Sequence, residues 1–579
     1  MNILGISAFY HDSAAALLKD GVMVAGAHEE RFTRIRHDPA LPVEAVKYCL
    51  EAGGIGIEDV EYVVFYDKPF VKLERILTTY IATFPRSLPS FTKSIPIWLK
   101  EKLWIPRIIG DQLGFEGEVL FAEHHQSHAA SAFLPSPYDE AAILTCDGVG
   151  EWATTTQGVG RGNQIELINE IRFPHSLGLL YSAFTYYLGF KVNSAEYKVM
   201  GAAPYGEPKY ADKIKDELID LREDGSFKLD MRYFAYDYGL TMTNDRFARL
   251  FGEPVRQMEG PMEQFHWDMA ASVQKVTEEI VLRMARNLHD KTGMKNLVMA
   301  GGVALNCVAN GRLIREGPFE NLWVQPAAGD AGGALGAALF AHNCVLNKPR
   351  SFRMDHAYWG PEYSDEAIQK YLTAREAPFE TLPRDEMIRE TARLLHEEQA
   401  VVGWFQGRME WGPRSLGSRS ILADARNEEN WKRVNLKIKF RESFRPFAPA
   451  CLEEKAQEWF DIDRESPYML LVCQVKEGRN VPAITHVDGS ARLQTVNRDQ
   501  HAEFYDLLQA FDQQTGCPVL INTSFNVRGE PIVCSPDDAY LCFMRTNMDV
   551  LVLGNQILRK ADQPELHEDV DWRELYALD

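Results

Sequence analysis

The sequence predicts an α/β protein of at least two structural units. Three observations lead to this fold class: the length of the chain, a strand pattern that occurs twice, and two strands that run into glycine-rich segments. With 579 residues, of which 45% are hydrophobic and 25% charged, the chain exceeds a single core. Since domains typically hold about 100–200 residues, two to four units are expected.

The repeated pattern is a strand, a polar loop and a hairpin. The first copy has a strand at residues 2–7, a polar loop, and a hairpin formed by residues 14–18 and 22–27. The second copy starts with a strand at 142–146 and ends in a hairpin around 160–163. Two such copies, each followed by helical segments, are typical of an actin-like ATPase core, although two unrelated β-rich patches would look similar.

Two strand–glycine–helix junctions follow a long helix predicted at residues 268–290. The strand at 296–300 runs into the glycines at 301 and 302, and the strand at 321–325 runs into a second small-residue segment at 327–336. Bare backbone lets a nucleotide approach, and helix N-termini favour anions. Close packing of a helix on a strand is the alternative interpretation of these glycines.

A break in periodicity around residues 345–365 predicts the domain boundary. We therefore expect one domain at 1–350 and another at 351–579. The second begins with a helix at 384–397 and a strand at 400–405, so it also reads as an α/β unit.

Charge and composition exclude several classes of protein. A formal net charge of −21 would repel a phosphate backbone, which argues against a nucleic-acid partner. There is no uninterrupted apolar run of the ~18–20 residues that a membrane span needs. The start carries no basic leader, and the nine cysteines contain no CxxC pair. We expect a cytoplasmic protein with buried thiols and no membrane partner.

A candidate metal site lies at His124 and His128. Their i, i+4 spacing places both imidazoles on one face of a helix, whereas His125 points elsewhere. Asp147 ends the next strand and Asp330 lies in the second glycine-rich junction, so the two could complete an N2O2 ligand set. Such a set suits Fe(II), Mn(II) or Zn(II), but an isolated histidine pair is more often no ligand at all.

Basic residues are concentrated in short motifs of the C-terminal half. Residues 407–419 and 437–445 mix arginines and lysines with Gly, Pro, Trp and Phe, and Arg492 follows in a turn. Guanidinium groups match phosphate oxygens in pairs, so a polyphosphate or acyl phosphate is the expected ligand, with a solvated basic face as the alternative. Neither a Walker A motif nor a nucleophile elbow is present.

Together these motifs resemble a known family. The carrying segments include Phe-Tyr-His-Asp-Ser-Ala at 9–14, Glu-Glu-Arg-Phe at 29–32 and Asn-Thr-Ser-Phe-Asn at 522–526. They are similar to the antibiotic and nodulation O-carbamoyltransferases, the family of tobramycin, cephem and Nod-factor carbamoyltransferases. The resemblance implies an N-terminal actin-like domain, similar to the tRNA threonylcarbamoyl-transfer subunit, and a C-terminal YrdC-like α/β domain.

The resemblance also implies an activity. The C-terminal domain would make carbamoyl-adenylate from carbamoyl phosphate and ATP, with Mg²⁺. The N-terminal domain would transfer the carbamoyl group to a hydroxyl of a small-molecule natural product or glycan. The acceptor pocket is expected within residues 70–115 and 205–262, which match no motif, and a homodimer is one oligomeric state left open.

Roles for individual residues follow from the same resemblance. The general base on the acceptor hydroxyl would be His11. The ligands of Fe(II) or a similar divalent ion would be His124, His128, Asp147 and Asp330. The nucleotide-binding residues would be Ser13, Arg36, Asp147, Gly302 and Asn306. The carbamoyl phosphate-binding residues would be Arg414, Arg445, Arg492, Asn522 and Ser524.

Some alternatives stay open at this stage. Arg441 competes with Arg445 for the phosphate, and Arg419 competes with Arg414. Arg36 stands where family members often carry lysine. Competing functions are tRNA threonylcarbamoyl transfer, a non-catalytic actin-like nucleotide-binding protein and an actin-like sugar kinase.

Overall fold

The computed structural model describes residues 1–442 and 444–567, and the chain divides into two compact units. The first unit combines Met1–Glu29 with His37–Met354, and the second combines Glu30–Arg36 with the chain from Asp355. The strands of the first unit are β1 (Asn2–Ser7), β2 (Ala14–Lys19), β3 (Val22–His28), β4 (Tyr62–Phe65), β5 (Glu118–Phe121), β6 (Glu140–Cys146), β7 (Ala153–Arg161), β8 (Gln164–Arg172), β9 (Ile219–Leu221), β10 (Phe227–Leu229), β11 (Asn296–Ala300) and β12 (Asn321–Val324).

Two five-stranded sheets in the first unit have the same topology. Their strand orders are β3-β2-β1-β4-β5 and β8-β7-β6-β11-β12. In each sheet the first strand pairs antiparallel with its hairpin and parallel with the fourth strand. This duplication confirms the predicted actin-like architecture, because two unrelated β-rich patches would not share strand order and direction.

The helices of both units follow in chain order. They are α1 (Glu30–Thr33), α2 (Val43–Gly53), α3 (Pro69–Thr83), α4 (Leu88–Ile97), α5 (Ile105–Leu113), α6 (His124–Phe133), α7 (Leu177–Tyr187), α8 (Glu196–Ala202), α9 (Ala211–Leu218), α10 (Asp245–Phe251), α11 (Gln264–Thr292), α12 (Cys307–Glu316), α13 (Asp330–Leu339), α14 (Asp365–Ala374), α15 (Arg384–Glu397), α16 (Glu428–Arg433), α17 (Ala456–Trp459), α18 (Ala502–Thr515) and α19 (Pro536–Arg545).

Helices α6 and α13 pack against each other in the core of the first unit. Helix α13 also packs on β1 and β2, and α6 packs on β6 and β11. Small residues make this approach possible: a Cβ on Gly336 would lie 1.9 Å from the carbonyl oxygen of Ser127 in α6. For Gly336, therefore, the packing interpretation of the glycine-rich junction applies, and it holds the N-termini of α6 and α13 close together.

The second unit is built on one mixed nine-stranded sheet. Its strands are β13 (Glu380–Thr381), β14 (Val402–Phe405), β15 (Arg419–Asp424), β16 (Ala448–Leu452), β17 (Leu471–Gln474), β18 (Ser490–Val496), β19 (Val519–Ser524), β20 (Val550–Leu553) and β21 (Gln556–Arg559). Their order is β13-β21-β20-β14-β15-β19-β16-β18-β17. The mixed α/β sheet agrees with the fold class predicted for the C-terminal half.

A short segment from the N-terminal half belongs to the second unit. Residues 30–36 include α1, whose Arg31 donates to the carbonyl oxygen of Gly412 at 3.1 Å. Arg34 pairs with Glu530 at 3.1 Å and with Asp538 at 3.3 Å. Sequence periodicity carries no sign of this grouping, because it depends on contacts between residues some 500 positions apart.

The segments without a recognisable motif are also structured. Residues 69–113 form α3, α4 and α5, and residues 211–251 form α9, the β9–β10 hairpin and α10. Among the described residues, no helix combines the length and apolarity that crossing a membrane requires. All nine cysteines are free thiols, and eight of them are buried, as expected.

Candidate metal centre and substrate sites

His124 and His128 lie in the first two turns of α6. Their Nε2 atoms are 3.1 Å apart and both side chains are buried. The start of the helix is held by Glu151, whose carboxylate oxygens each accept from the backbone N–H of His124 at 3.1 Å. Glu151 also accepts from the backbone N–H of Lys68 at 2.8 Å. A buried carboxylate at a helix N-terminus accepts hydrogen bonds from unpaired N–H groups and interacts favourably with the positive end of the helix dipole.

Asp147 reaches the histidines from the carboxyl end of β6. Its Oδ2 lies 3.2 Å from Nε2 of His124, and its Oδ1 accepts from the backbone N–H of Gly302 at 2.7 Å. Gly302 is brought there because β6 and β11 are parallel neighbours, so their carboxyl ends meet at one edge. The turn needs Gly301, which has a φ of 91° and whose Cβ would lie 2.3 Å from the Cys146 carbonyl.

Asp330 completes the cluster as the first residue of α13. Its Oδ1 lies 3.5 Å from Nε2 of His128 and 3.7 Å from Nε2 of His124. Close packing of α13 against α6 therefore brings Asp330 next to His128, although the two residues are far apart in the sequence. The structure thus brings the four predicted ligands together.

The donor set fits a divalent metal ion. The ligand atoms of His124, His128, Asp147 and Asp330 all lie within 4.8 Å of one another. For bonds of about 2.0–2.2 Å, tetrahedral donors lie roughly 3.3–3.6 Å apart, close to the separations of 3.1–3.8 Å found here. Within the described chain the buried Oδ2 of Asp330 has no hydrogen-bond partner, and a cation at the cluster would compensate this carboxylate.

The charges of the cluster are strongly coupled. Burial acts to raise the pKa of Asp147, but hydrogen bonds from His124 and His128 outweigh it and hold that pKa well below its usual range. Burial acts to lower the pKa of His128, and hydrogen bonds to Asp147 and Asp330 raise it to about 9. His125 differs: burial lowers its pKa well below 6.5, and its Nδ1 lies 2.6 Å from Oγ1 of Thr145, away from the cluster.

His11 lies in the loop that follows β1. Its Nδ1 is 3.2 Å from Oδ2 of Asp12, and its ring centroid lies 4.6 Å from that of Tyr10, with the two rings tilted at 42°. Burial acts to lower the pKa of His11, but the hydrogen bond and charge of Asp12, with the charges of Asp330 and Asp147, raise it to about 9.

The predicted nucleotide residues are distributed over the two units. Ser13 is buried, and its Oγ has no hydrogen-bond partner among the described residues. Asn306 caps α12, accepting from the backbone N–H of Ala309 at 3.1 Å, and donates to Gln274 at 3.0 Å. Arg36 is part of the segment that belongs to the second unit. Gly302 is placed to orient Asp147, and the nucleotide-binding roles stay predictions.

Several of the predicted carbamoyl phosphate residues share one face of the nine-stranded sheet. Arg492 and Gln494 are two positions apart on β18, and Asn522 and Ser524 are two positions apart on β19, so each pair points to one side. Asn522 donates to Gln494 at 2.7 Å across the intervening strand β16. It also lies 3.5 Å from the Ser415 carbonyl, which brings the Arg414 loop to this face.

Lys439 also lies at this face, although it was not among the predicted carbamoyl phosphate-binding residues. It is 2% exposed, and its Nζ donates to the backbone oxygen and Oγ of Ser524 and to Oδ1 of Asn526. Burial, together with the charges of Arg441 and Arg445, lowers the pKa of Lys439 well below 10.5. The crowding of lysine and arginine in residues 437–445 was the sequence signal for it.

The structure distinguishes Arg419 from Arg414. Arg419 is fully buried, its guanidinium lies 3.6 Å from the Phe405 ring, and it donates to the carbonyls of Gln406 and Pro361 at 2.9 Å. Its hydrogen bonds are committed to the fold, so Arg414 is the better candidate for phosphate. Arg441 and Arg445 both lie near Lys439, and the choice between them stays open.

Comparison with known proteins identifies the family. The family described as Carbamoyltransferase N-terminus matches residues 2–339, and the family described as Carbamoyltransferase C-terminus matches residues 392–560. The chain belongs to the carbamoyltransferase family. The predicted family is thereby confirmed, and this carbamoyltransferase is an enzyme rather than a non-catalytic binding protein.

Relatives of this carbamoyltransferase include nodulation proteins. It is 39% identical to nodulation protein NolNO of Sinorhizobium fredii over 98% of this chain and 81% of that protein. It is 41% identical to nodulation protein NolO of Bradyrhizobium diazoefficiens over 76% of this chain and 78% of that protein. A protein of Synechocystis sp. is 54% identical over the full length of both chains.

Solved structures show only distant likeness to the carbamoyltransferase. Full-length HypF in a phosphate- and nucleotide-bound form has a TM-score of 0.31 and 12% identity, over 59% of this chain and 55% of that one. Component A of the Acidaminococcus fermentans (R)-2-hydroxyglutaryl-CoA dehydratase has a TM-score of 0.30 and 15% identity, over 59% of this chain and 97% of that one.

Proposed function

We propose that the enzyme activates carbamoyl phosphate with ATP in its second unit and transfers the carbamoyl group to a hydroxyl of a small-molecule natural product or glycan in its first unit. The supporting observation is the separation of two kinds of site. His11 and the N2O2 cluster lie in the first unit, whereas Lys439 and the polar sheet face lie in the second.

Activation requires the second unit to bind several negative charges. In the proposed reaction water cleaves carbamoyl phosphate to phosphate and carbamate, and a carbamate oxygen attacks the α-phosphorus of ATP. The bond to the β-phosphate breaks, giving carbamoyl-adenylate and pyrophosphate. The arginines of this face would neutralise phosphate oxygens, Lys439 would add positive charge beside Ser524, and Asn522 would orient the phosphate through its amide. Mg²⁺ accompanies ATP in this step.

Transfer requires a base and a polarised carbonyl. The acceptor oxygen attacks the carbamoyl carbon, AMP leaves, and His11 takes the hydroxyl proton. A divalent ion held by the four-residue cluster would supply Lewis-acid polarisation and charge stabilisation. Glu151 and Gly302 hold His124 and Asp147 in place for that ion. The hydrogen bond and charge of Asp12 raise the pKa of His11 against the effect of burial, so transfer is expected to accelerate as pH rises.

Product analysis tests this function. Purified enzyme, ATP, Mg²⁺ and carbamoyl phosphate are incubated with a panel of hydroxylated metabolites, and nucleotides and acceptor masses are measured. We expect AMP, pyrophosphate and an acceptor heavier by one carbamoyl group. Stoichiometric ADP, with no carbamoylated acceptor, would contradict the proposal and favour a kinase. A His11→Ala control should still release pyrophosphate while transfer falls by about 10²–10⁴-fold.

A further inference from the structure

A chain of four hydrogen-bonded side chains starts in the loop that carries His11. Asp12 Oδ2 lies 3.2 Å from Nδ1 of His11, and Asp12 Oδ1 lies 2.6 Å from Nδ1 of His37. His37 in turn places its Nε2 3.0 Å from Oγ of Ser194. All four residues belong to the first unit, and none belongs to the cluster of His124, His128, Asp147 and Asp330.

The carboxylate of Asp12 determines which ring nitrogens carry protons. Burial acts to raise the pKa of Asp12, but the charge of His37 and hydrogen bonds from both histidines hold it well below its usual range. An ionised carboxylate only accepts hydrogen bonds, so His11 and His37 must each donate from Nδ1. Nε2 is then the nitrogen of His11 that can take a proton, as in other carboxylate–histidine pairs.

We propose that Asp12 and His37 are positioning residues for carbamoyl transfer: Asp12 fixes the ring and tautomer of His11, and His37 shares the charge of Asp12. This inference rests on the proposed role of His11 as the base. Ser194 supports the arrangement by holding the His37 ring through its Nε2. His37 therefore limits how strongly Asp12 stabilises the protonated form of His11.

Substitutions of Asp12, His37 or Ser194 leave the other titratable groups near His11 unchanged. Within the first unit these are Tyr10, Asp147 and Asp330, with Lys72 lying 5.6 Å from the Tyr10 ring. Burial raises the pKa of Tyr10, so its phenol stays neutral. A bound dication would offset the two aspartates equally in each protein. Differences between variants therefore report on Asp12 and His37.

The two substitutions should move the pKa of His11 in opposite directions. His37→Gln removes a group that shares the Asp12 charge, so protonated His11 is stabilised and its pKa rises. Asp12→Asn removes the negative charge, so the pKa falls. We expect a fall of about one unit or more in Asp12→Asn, because a charge within about 4–6 Å shifts a pKa by 1–3 units. The rise in His37→Gln should be smaller, and that in Ser194→Ala smaller still. A purely structural role would not give opposite signs.

Chemical modification measures this pKa without turnover. The full-length proteins are treated with diethylpyrocarbonate, which reacts with neutral imidazole, and the rate of modification of His11 is followed by peptide mass across pH. Opposite shifts in His37→Gln and Asp12→Asn would support the inference. Shifts of the same sign, or no shift in folded variants, would overturn it, and thermal unfolding establishes that the variants are folded.

Turnover then separates this inference from the proposed function. The rise of carbamoyl transfer with pH should move in the same direction as the modification profile, while pyrophosphate release continues. Opposite modification shifts without any movement of the transfer profile would contradict the role of His11 as base but retain the positioning of its ring. A carbamoyl adduct on Ser194, found by mass spectrometry during turnover, would overturn the positioning role in favour of covalent catalysis.

Discussion

At the scale of single residues, surroundings set the chemistry of each histidine. His11, His125 and His128 have the same ordinary pKa, yet the structure raises two of them to about 9 and lowers the third. The difference follows from carboxylate partners: His11 and His128 have them, whereas His125 faces a threonine hydroxyl. His125 and His128 are both buried and lie three positions apart in one helix, so substitution of His125 is a matched control for substitution of His128.

His128→Ala should lower the metal content of the purified enzyme. It removes one of four convergent donors, and because loss of even an outer-shell partner weakens metal binding by about 10–100-fold, loss of a direct ligand should cost at least that. Elemental analysis after dialysis measures the effect. His125→Asn is the matched control, since His125 lies outside the cluster, and it should retain metal. Equal metal content in both variants would show that the site lies elsewhere.

Lys439 should make activation sensitive to rising pH. Its lowered pKa means that the charge is present at low pH and is lost as pH rises, well before an ordinary lysine would lose it. The apparent KM for carbamoyl phosphate should therefore increase as pH rises. Lys439→Arg keeps a charge throughout and should flatten that profile, whereas Lys439→Met should raise KM by about 10–100-fold at low pH and approach the parent as pH rises. An unchanged profile in Lys439→Arg would contradict a role for the lysine charge.

At the scale of elements, helix ends and strand ends build the site. His124 begins α6, Asp330 begins α13, and Asp147 follows β6. Because α6 packs against both α13 and β6, the ends of these three elements meet at one point. The start of α6 is therefore as important to the metal site as the ligands themselves.

Glu151→Gln should weaken metal binding without removing a ligand. The substitution removes the negative charge and one of the two oxygens that accept from the backbone N–H groups of His124 and Lys68, so the first turn of α6 is held less firmly. We expect a stability loss of about 1 kcal/mol and a metal affinity lower by about 10–100-fold. Thermal unfolding with and without added metal measures both. Glu140→Gln, at an exposed position in β6, is the control and should match the parent.

At the scale of the whole molecule, the proposed chemistry is divided between two units. Arg492 lies on the sheet of the second unit, and His128 lies in the first. Loss of one charge-assisted contact to phosphate costs about 1.5–3 kcal/mol, or roughly ten- to a hundredfold in binding. Such a loss should affect one half-reaction and spare the other.

Arg492→Ala and His128→Ala should therefore show opposite defects. Arg492→Ala should fail with ATP and carbamoyl phosphate but carbamoylate the acceptor when carbamoyl-adenylate is supplied. His128→Ala should release pyrophosphate but lose the intermediate to hydrolysis. Both half-reactions are measured on each full-length variant, with the parent as reference. If the two variants behaved alike in both assays, one composite site would be the better description.

The sequence by itself determined the local elements and the identity of the chemistry. The strands at β1, β2, β3 and β11 and the helix at α11 follow from hydrophobic periodicity, which depends on residues within one element. The i, i+4 spacing placed His124 and His128 together because helix geometry makes them neighbours. Ordered motifs along the whole chain indicated the carbamoyltransferase family, which the family matches confirm.

Only the tertiary structure decided what depends on contacts between distant parts of the chain. The strand order of the duplicated sheets, the grouping of residues 30–36 with the second unit, and the role of Glu151 arise from pairings that leave no period in the sequence. The same reason explains the raised pKa of His11, which comes from Asp12 and from carboxylates over 130 and 300 positions away. Burial and charge act through space, so a one-dimensional pattern cannot specify them.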